Sequence, residues 1–154
     1  MSLDSSFRID APGVTPAAAQ ALLIDAELFE RLDDMRDAKR LFADGCVLSI
    51  TRPTPPQFEL EDLGIRATLH LIFANADKEK TQRWTLATIR AVMHLLHSFS
   101  GDALLLYSVG SPALLRKKGK LILDHRCGLW MPNVEPQVLP LVDLDYSWGT
   151  ILLD

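Results

Sequence analysis

The run from Thr81 to Ser98 constrains the fold more than any other part of the chain. Set at about 100° per residue, Trp84, Ile89, Val92, Met93, Leu95, Leu96 and Phe99 cover a broad apolar arc, while Arg83, Arg90, His94 and His97 gather opposite. An arc this wide predicts a helix largely covered by a sheet. Gly101 follows the last turn, where a left-handed cap is expected.

The sheet that must cover this helix is legible on both sides of it. From Arg66 to Phe73 the pattern alternates: Ala67, Leu69, Leu71 and Phe73 take one face, and Arg66, Thr68 and His70 the other. That is a half-buried strand. Cys46 to Thr51 is short and rich in β-formers after the Asp44-Gly45 turn signal, and Pro53, Pro55 and Pro56 end it, because proline cannot feed a ladder. Phe7 to Asp10 reads as a short first strand.

Beyond the helix, Ala103 to Val109 reads as a strand, Gly110-Ser111-Pro112 as a turn and Ala113 to Arg116 as the return. Lys117-Lys118-Gly119 turns again into a strand from Lys120 to Asp124. Short turns between apolar runs make antiparallel neighbours. The tail from Cys127 onward reads as mostly extended and packed on the domain edge.

Near the N-terminus, Thr15-Pro16 is a helix start: a hydroxyl cap, then proline where no amide is lost. Leu22, Ala26 and Phe29 then recur on one face. Between Phe29 and Phe42 acids and bases interleave in a solvated helical or irregular stretch. These elements together predict an α+β fold in two layers, an antiparallel meander sheet with helices packed on one face. With no repeat, linker or low-complexity segment, the 154 residues are read as a single domain, 1–154.

Composition narrows the function. Hydrophobic residues make up 48% and charged residues 23%, an ordinary globular balance. The formal net charge of -4 lacks the basic stripe that nucleic acid or an anionic membrane would need. The longest apolar runs, such as Ala103 to Tyr107, are too short to span a bilayer. Met1 to Ala11 has no basic region followed by an apolar one, so no secretory signal and a cytoplasmic setting are expected. There Cys46 and Cys127 are expected as reduced thiols.

No motif specifies a catalyst, metal or cofactor. His94 and His97 share a helix face at a spacing metals use, but no third ligand is evident and arginines crowd them, so a solvated face is expected. Asp124-His125-Arg126-Cys127 holds an acid, a base and a thiol, but sequence neighbours on an extended chain point apart. An enzyme built on these residues needs a cleft that brings Cys127, a histidine and a carboxylate together. The basic run from Arg116 to Lys120 falls on a hairpin and reads as a solvated turn. Asp143, Asp145, Tyr146 and Trp148 near the chain end are the candidate anchors for a partner.

A resemblance sharpens this. The helix from Trp84 to His97, Gly-Asp-Ala-Leu-Leu-Leu-Tyr from Gly101 to Tyr107, Leu-Leu-Arg-Lys-Lys-Gly-Lys-Leu-Ile-Leu-Asp from Leu114 to Asp124, and then Trp130 resemble the SitI-type immunity proteins of bacterial swarming-inhibition toxin systems. Leu63-Gly64-Ile65-Arg66, leading into the strand to Phe73, also looks like the family's middle strand. The resemblance implies a non-enzymatic cytoplasmic protein that binds and neutralises a cognate toxin, and it carries over no catalytic residue. The alternative is another protein-interaction or small-ligand-binding module on the same scaffold.

Overall fold

The computed structural model describes residues 4–31, 40–53, 63–108 and 110–152. In chain order its regular elements are β1 (Asp4–Ile9), α1 (Pro16–Asp25), β2 (Glu30–Arg31), β3 (Arg40–Ala43), β4 (Cys46–Thr51), β5 (Leu69–Asn75), α2 (Thr81–Ser98), β6 (Ala103–Tyr107), β7 (Ser111–Lys117), β8 (Lys120–Asp124) and β9 (Ser147–Gly149). The fold is α+β. Among the described residues nine strands join one sheet in the order β2-β3-β4-β5-β1-β6-β7-β8-β9.

The sheet departs from a simple meander in two places. Two meanders are present, β2 to β5 and β6 to β8, but β1 lies between them. Phe7 stands opposite Leu71 on one side and Leu105 on the other, both antiparallel. Strands β5 and β6 therefore run parallel, and α2 carries the chain across β1, as parallel strands require a long crossover. At the far end β9 pairs parallel with β8, Trp148 opposite Leu123.

Local chemistry accounts for the helices. Thr15 Oγ1 accepts the Ala18 amide at 3.1 Å, with Pro16 opening α1. The helix stops at Asp25, because Glu27 adopts φ 61 and turns the chain. Its buried residues are Ala19, Gln20 and Leu23, with the expected Leu22 partly buried against the same core, and Phe29 is buried from the connection to β2. Helix α2 spans the expected residues and buries Trp84, Ile89, Val92, Met93, Leu95 and Leu96. The Trp84 indole donates to the Phe73 carbonyl at 3.0 Å, fixing α2 to β5. Strand β5 begins at Leu69, and Leu69, Leu71 and Phe73 are fully buried. The interleaved charges at 32–39 and the proline loop at 54–62 lie outside the described residues.

Gly101 does not cap α2 in the left-handed region. Phe99 ends the helix in extended geometry. Glycine is needed at 101 for closeness: a Cβ there would stand 1.8 Å from the Asp10 carbonyl oxygen. The β6–β7 turn is also displaced from its expected place. Ser108 and Gly110 carry positive φ, so Ser111 and Pro112 belong to β7. Pro112 sits where the β6–β7 register shifts, so its missing amide costs little there. The next turn is the two-residue Lys118-Gly119, both with positive φ, as a tight hairpin demands.

Alternate strand residues feed two apolar layers. Phe7, Ile9, Leu48, Leu71, Leu105 and Leu123 join the buried faces of α1 and α2 in one large core. A smaller cluster of Ile65, Leu104, Leu115 and Ile151 forms from the intervening positions. The tail is less extended than expected. Short helical turns at Gly128–Trp130 and Leu139–Leu141 precede β9, in a stretch whose prolines hold φ near the turn value. Trp130 is buried and donates to the Ala113 carbonyl at 2.8 Å.

Candidate functional site

The basic run from Arg116 to Lys120 is a solvated turn only at Lys118, Gly119 and Lys120. Arg116 is 7% exposed. Its guanidinium donates to the carbonyls of Leu96 at 2.7 Å, Gly101 at 2.8 Å, and Phe99. These oxygens lie at the end of α2, where helix carbonyls lack intrahelical partners and a cation is favoured. Lys117 Nζ donates to the Gly64 carbonyl at 2.7 Å and to Asp102 at 3.0 Å, and the Lys118 amide donates to Asp102 at 2.9 Å. Burial pushes the Asp102 carboxyl up, but these donors outweigh it and hold the group below its ordinary value. Gly101-Asp102 and the basic hairpin, separate in the sequence, are thus two halves of one clasp. Only Lys118, Gly119 and Lys120 of the run are exposed.

The Asp124–Cys127 loop is a second clasp. Asp124 is 1% exposed and accepts Arg126 through its amide, Nε and NH2, and the Ile151 amide at 3.0 Å. The Arg126 hydrogen bonds, the largest effect, hold its carboxyl far below the usual range. His125 Nδ1 donates to the Gly149 carbonyl at 2.8 Å. Cys127 is buried, and burial raises its thiol pKa. Acid, base and thiol are thus committed in different directions. Both cysteines are free thiols.

His97 Nε2 donates to Asp143 Oδ1 at 2.6 Å, so this histidine holds the tail. Among the described residues no group of three or more His, Cys, Asp or Glu side chains is placed to hold a metal ion. Nor is any described helix long and apolar enough to cross a membrane.

A hollow of about 590 Å³ lies between the β6–β7 turn and the tail, lined in part by Tyr107, Pro112, Asp124, Cys127, Leu129 and Glu135. Sequence reasoning did not find it, because its walls come from three separated segments. Part of its polar lining is already committed, with Asp124 bound by Arg126 and the Tyr107 hydroxyl bonded to Thr85 Oγ1 at 2.8 Å.

Of the four anchor candidates, Trp148 lies in β9 and Asp145 and Tyr146 lead into it, while Asp143 sits against α2 through His97. Tyr146 is 37% exposed and Trp148 47%, and both aspartates are exposed. The two rings meet edge to face, centroids 5.6 Å apart at 87°. This geometry suits their quadrupoles. By contrast Trp130 is fully buried, so the aromatics of the tail divide into one core residue and one surface pair. Asp143 anchors to His97, and Asp145 borders a hollow of about 430 Å³ shared with Tyr146, Ser147 and the β7–β8 turn.

A family model described as SitI3-like matches residues 6–134. No curated protein and no solved structure matches. The matched segment runs from β1 through both clasps and the Gly128–Trp130 turn, and stops before Asp143, Asp145, Tyr146 and Trp148. Since it takes in most of the chain, the chain belongs to the SitI3-like family.

Proposed function

We propose that this chain is a non-catalytic cytoplasmic immunity protein, one domain over residues 1–154, that binds and neutralises a cognate toxin. Membership of the SitI3-like family is the observation that carries the reading. The site chemistry is consistent with it: charged groups of the two clasps are spent on holding the scaffold. The docking surface in this proposal is the exposed set Asp143, Asp145, Tyr146 and Trp148. Aromatic anchors with a polar surround are the usual composition of binding hot spots. A surface carried on a tail and loops can vary while the scaffold stays fixed.

The test is co-expression of the chain with the toxin encoded beside it in a sensitive bacterial strain, together with a binding measurement on the purified pair. Restored growth and a stable complex are expected. A chain that forms no complex and gives no protection refutes the reading.

A second reading, a small-ligand module, draws on the hollow of about 590 Å³, which is within the size range of ligand sites. A thermal-shift screen with small apolar carboxylates and amines tests it, with stabilisation lost on Cys127→Phe if the hollow is the site.

A further inference from the structure

We propose that β9 is the seat of a symmetric homodimer, in which the edge strands of two copies of this chain pair antiparallel about Trp148. The inference goes beyond the toxin-binding reading and does not depend on it, although Tyr146 and Trp148 serve one occupant at a time.

The backbone sets the register. Strand β9 is the last in the sheet, and among the described residues it pairs only with β8. The Gly149 carbonyl accepts the His125 amide at 3.2 Å. The Ile151 amide donates to Asp124 at 3.0 Å, and the Ile151 carbonyl accepts Arg126 at 3.0 Å. Residues 149 and 151 thus turn their polar groups inward. Backbone groups alternate along a strand, so those of Tyr146, Trp148 and Thr150 face outward. Such edges are templates for another strand and are commonly guarded by lysine or proline. Val142 to Leu152 contains neither.

The symmetry of this outward set names the occupant. A two-fold axis at Trp148 sets Trp148 against its own copy and Tyr146 against Thr150 of the copy, each as a hydrogen-bonded pair of an antiparallel ladder. Side chains alternate too, so Tyr146, Trp148 and Thr150 share one face. The pairs formed are aromatic with aromatic and aromatic with β-branched, both favourable across strands. Tyr146, Trp148 and Leu152 are three of the four exposed large hydrophobics among the described residues.

The charges fit a head-to-tail copy. One end of the edge carries exposed Asp145, which shares its hollow with Lys120. The other end carries exposed His125 and Arg126, the latter bonded to buried Asp124. Pairing about Trp148 brings Asp145 of each chain opposite Ile151 of the other, at the end that holds His125 and Arg126. The two Asp145 carboxylates stand roughly 20 Å apart along the ladder, beyond the screening length of about 8 Å. Asp143 stays with α2 through His97.

A ladder this short makes a weak dimer, with Kd on the order of 100 µM, so the test is sedimentation equilibrium of the full chain up to about 1 mM. A monomer–dimer equilibrium is expected. Hydrogen exchange of the Trp148 and Thr150 amides is expected to slow as concentration rises. A mixture of labelled and unlabelled chains is expected to show contacts between Tyr146 of one copy and Thr150 of the other. Trp148→Lys is expected to raise Kd about tenfold or more, with an unchanged melt at low concentration. Thr150→Pro, which deletes an outward amide, is expected to do the same. A chain that stays monomeric at the highest concentration overturns the proposal. So does a dimer that both variants leave intact, or one whose labelled contacts lie on another surface or in another register. The toxin reading is judged by protection in cells and stands or falls without this result.

Discussion

Arg116 donates to the Leu96 carbonyl at 2.7 Å, a buried bond that ties β7 to the last turn of α2. The same guanidinium holds Phe99 and Gly101, so one side chain gathers three carbonyls at the helix end. Arg116→Met leaves these buried carbonyls without their donor and is expected to lower unfolding free energy by about 2–4 kcal/mol. Arg116→Lys recovers only part, since one ammonium cannot present a planar fork to three oxygens. Urea midpoints at an unchanged m-value check both.

Acid stability follows from the two clasp carboxylates. Asp124, through its Arg126 hydrogen bonds, and Asp102, through the Lys118 and Lys117 donors that outweigh its burial, both sit below the ordinary 3.8 when folded. In the window below that value the unfolded chain binds more protons than the folded one. Their contribution is therefore complete above about pH 5 and drains as pH falls through the ordinary carboxylate range toward the folded values. Asp124→Asn is expected to flatten the acid limb of a stability-against-pH curve. An unchanged acid limb in that variant counts against the clasp.

Two glycines separate two kinds of need. Gly101→Ala places a methyl 1.8 Å from the Asp10 carbonyl oxygen, a clash with backbone, and is expected to cost about 3 kcal/mol or more. At Gly119, φ is +81 with open space around it, so Gly119→Ala pays only backbone strain, about 1 kcal/mol. Thermal melts of the two variants give the ranking.

Burial pushes the Cys46 thiol up to about 12. Thiolate is the reactive form, so Cys46 is expected to resist iodoacetamide at neutral pH until the protein unfolds. Mass spectrometry of a time course with and without urea reads this directly, and rapid native labelling of Cys46 contradicts it.

At the surface, Trp148→Ala with Asp145→Asn is expected to leave the melting temperature nearly unchanged, within about 0.5 kcal/mol, because both residues are exposed. Toxin affinity is expected to fall about tenfold or more, as for a truncated interface anchor. Calorimetry on both partners distinguishes lost contact from lost fold.

Much of the fold was legible because its periodicities are strong. The arc around Trp84 and Val92 and the alternation through Leu69, Leu71 and Phe73 each record one buried face, and both elements stand close to where the pattern puts them. What stayed hidden depends on pairing across long separations. Nothing in Phe7 or Ile9 says that their strand enters between β5 and β6. Arg116 looks like a surface cation among lysines until the hairpin places it under the helix end. Gly101 carries a cap signature, yet its reason is an approach to Asp10 that only the assembled sheet creates. For the candidate surface, the sequence marked Tyr146 and Trp148 as large aromatics near a chain end, but not that Trp130 would be buried and these two exposed.

The position of β1 has a consequence for biogenesis. Of the described strands, the one made earliest at the ribosome needs a neighbour on its β6 side that is made only after α2. A chain interrupted before Ala103 therefore presents the bare flank of β1, Ser6 to Ile9, which Leu106 to Ala103 normally occupies. Open flanks of this kind recruit strands from other molecules. Finishing translation is thus itself a safeguard, and truncated products are expected to be found in aggregates rather than as soluble fragments.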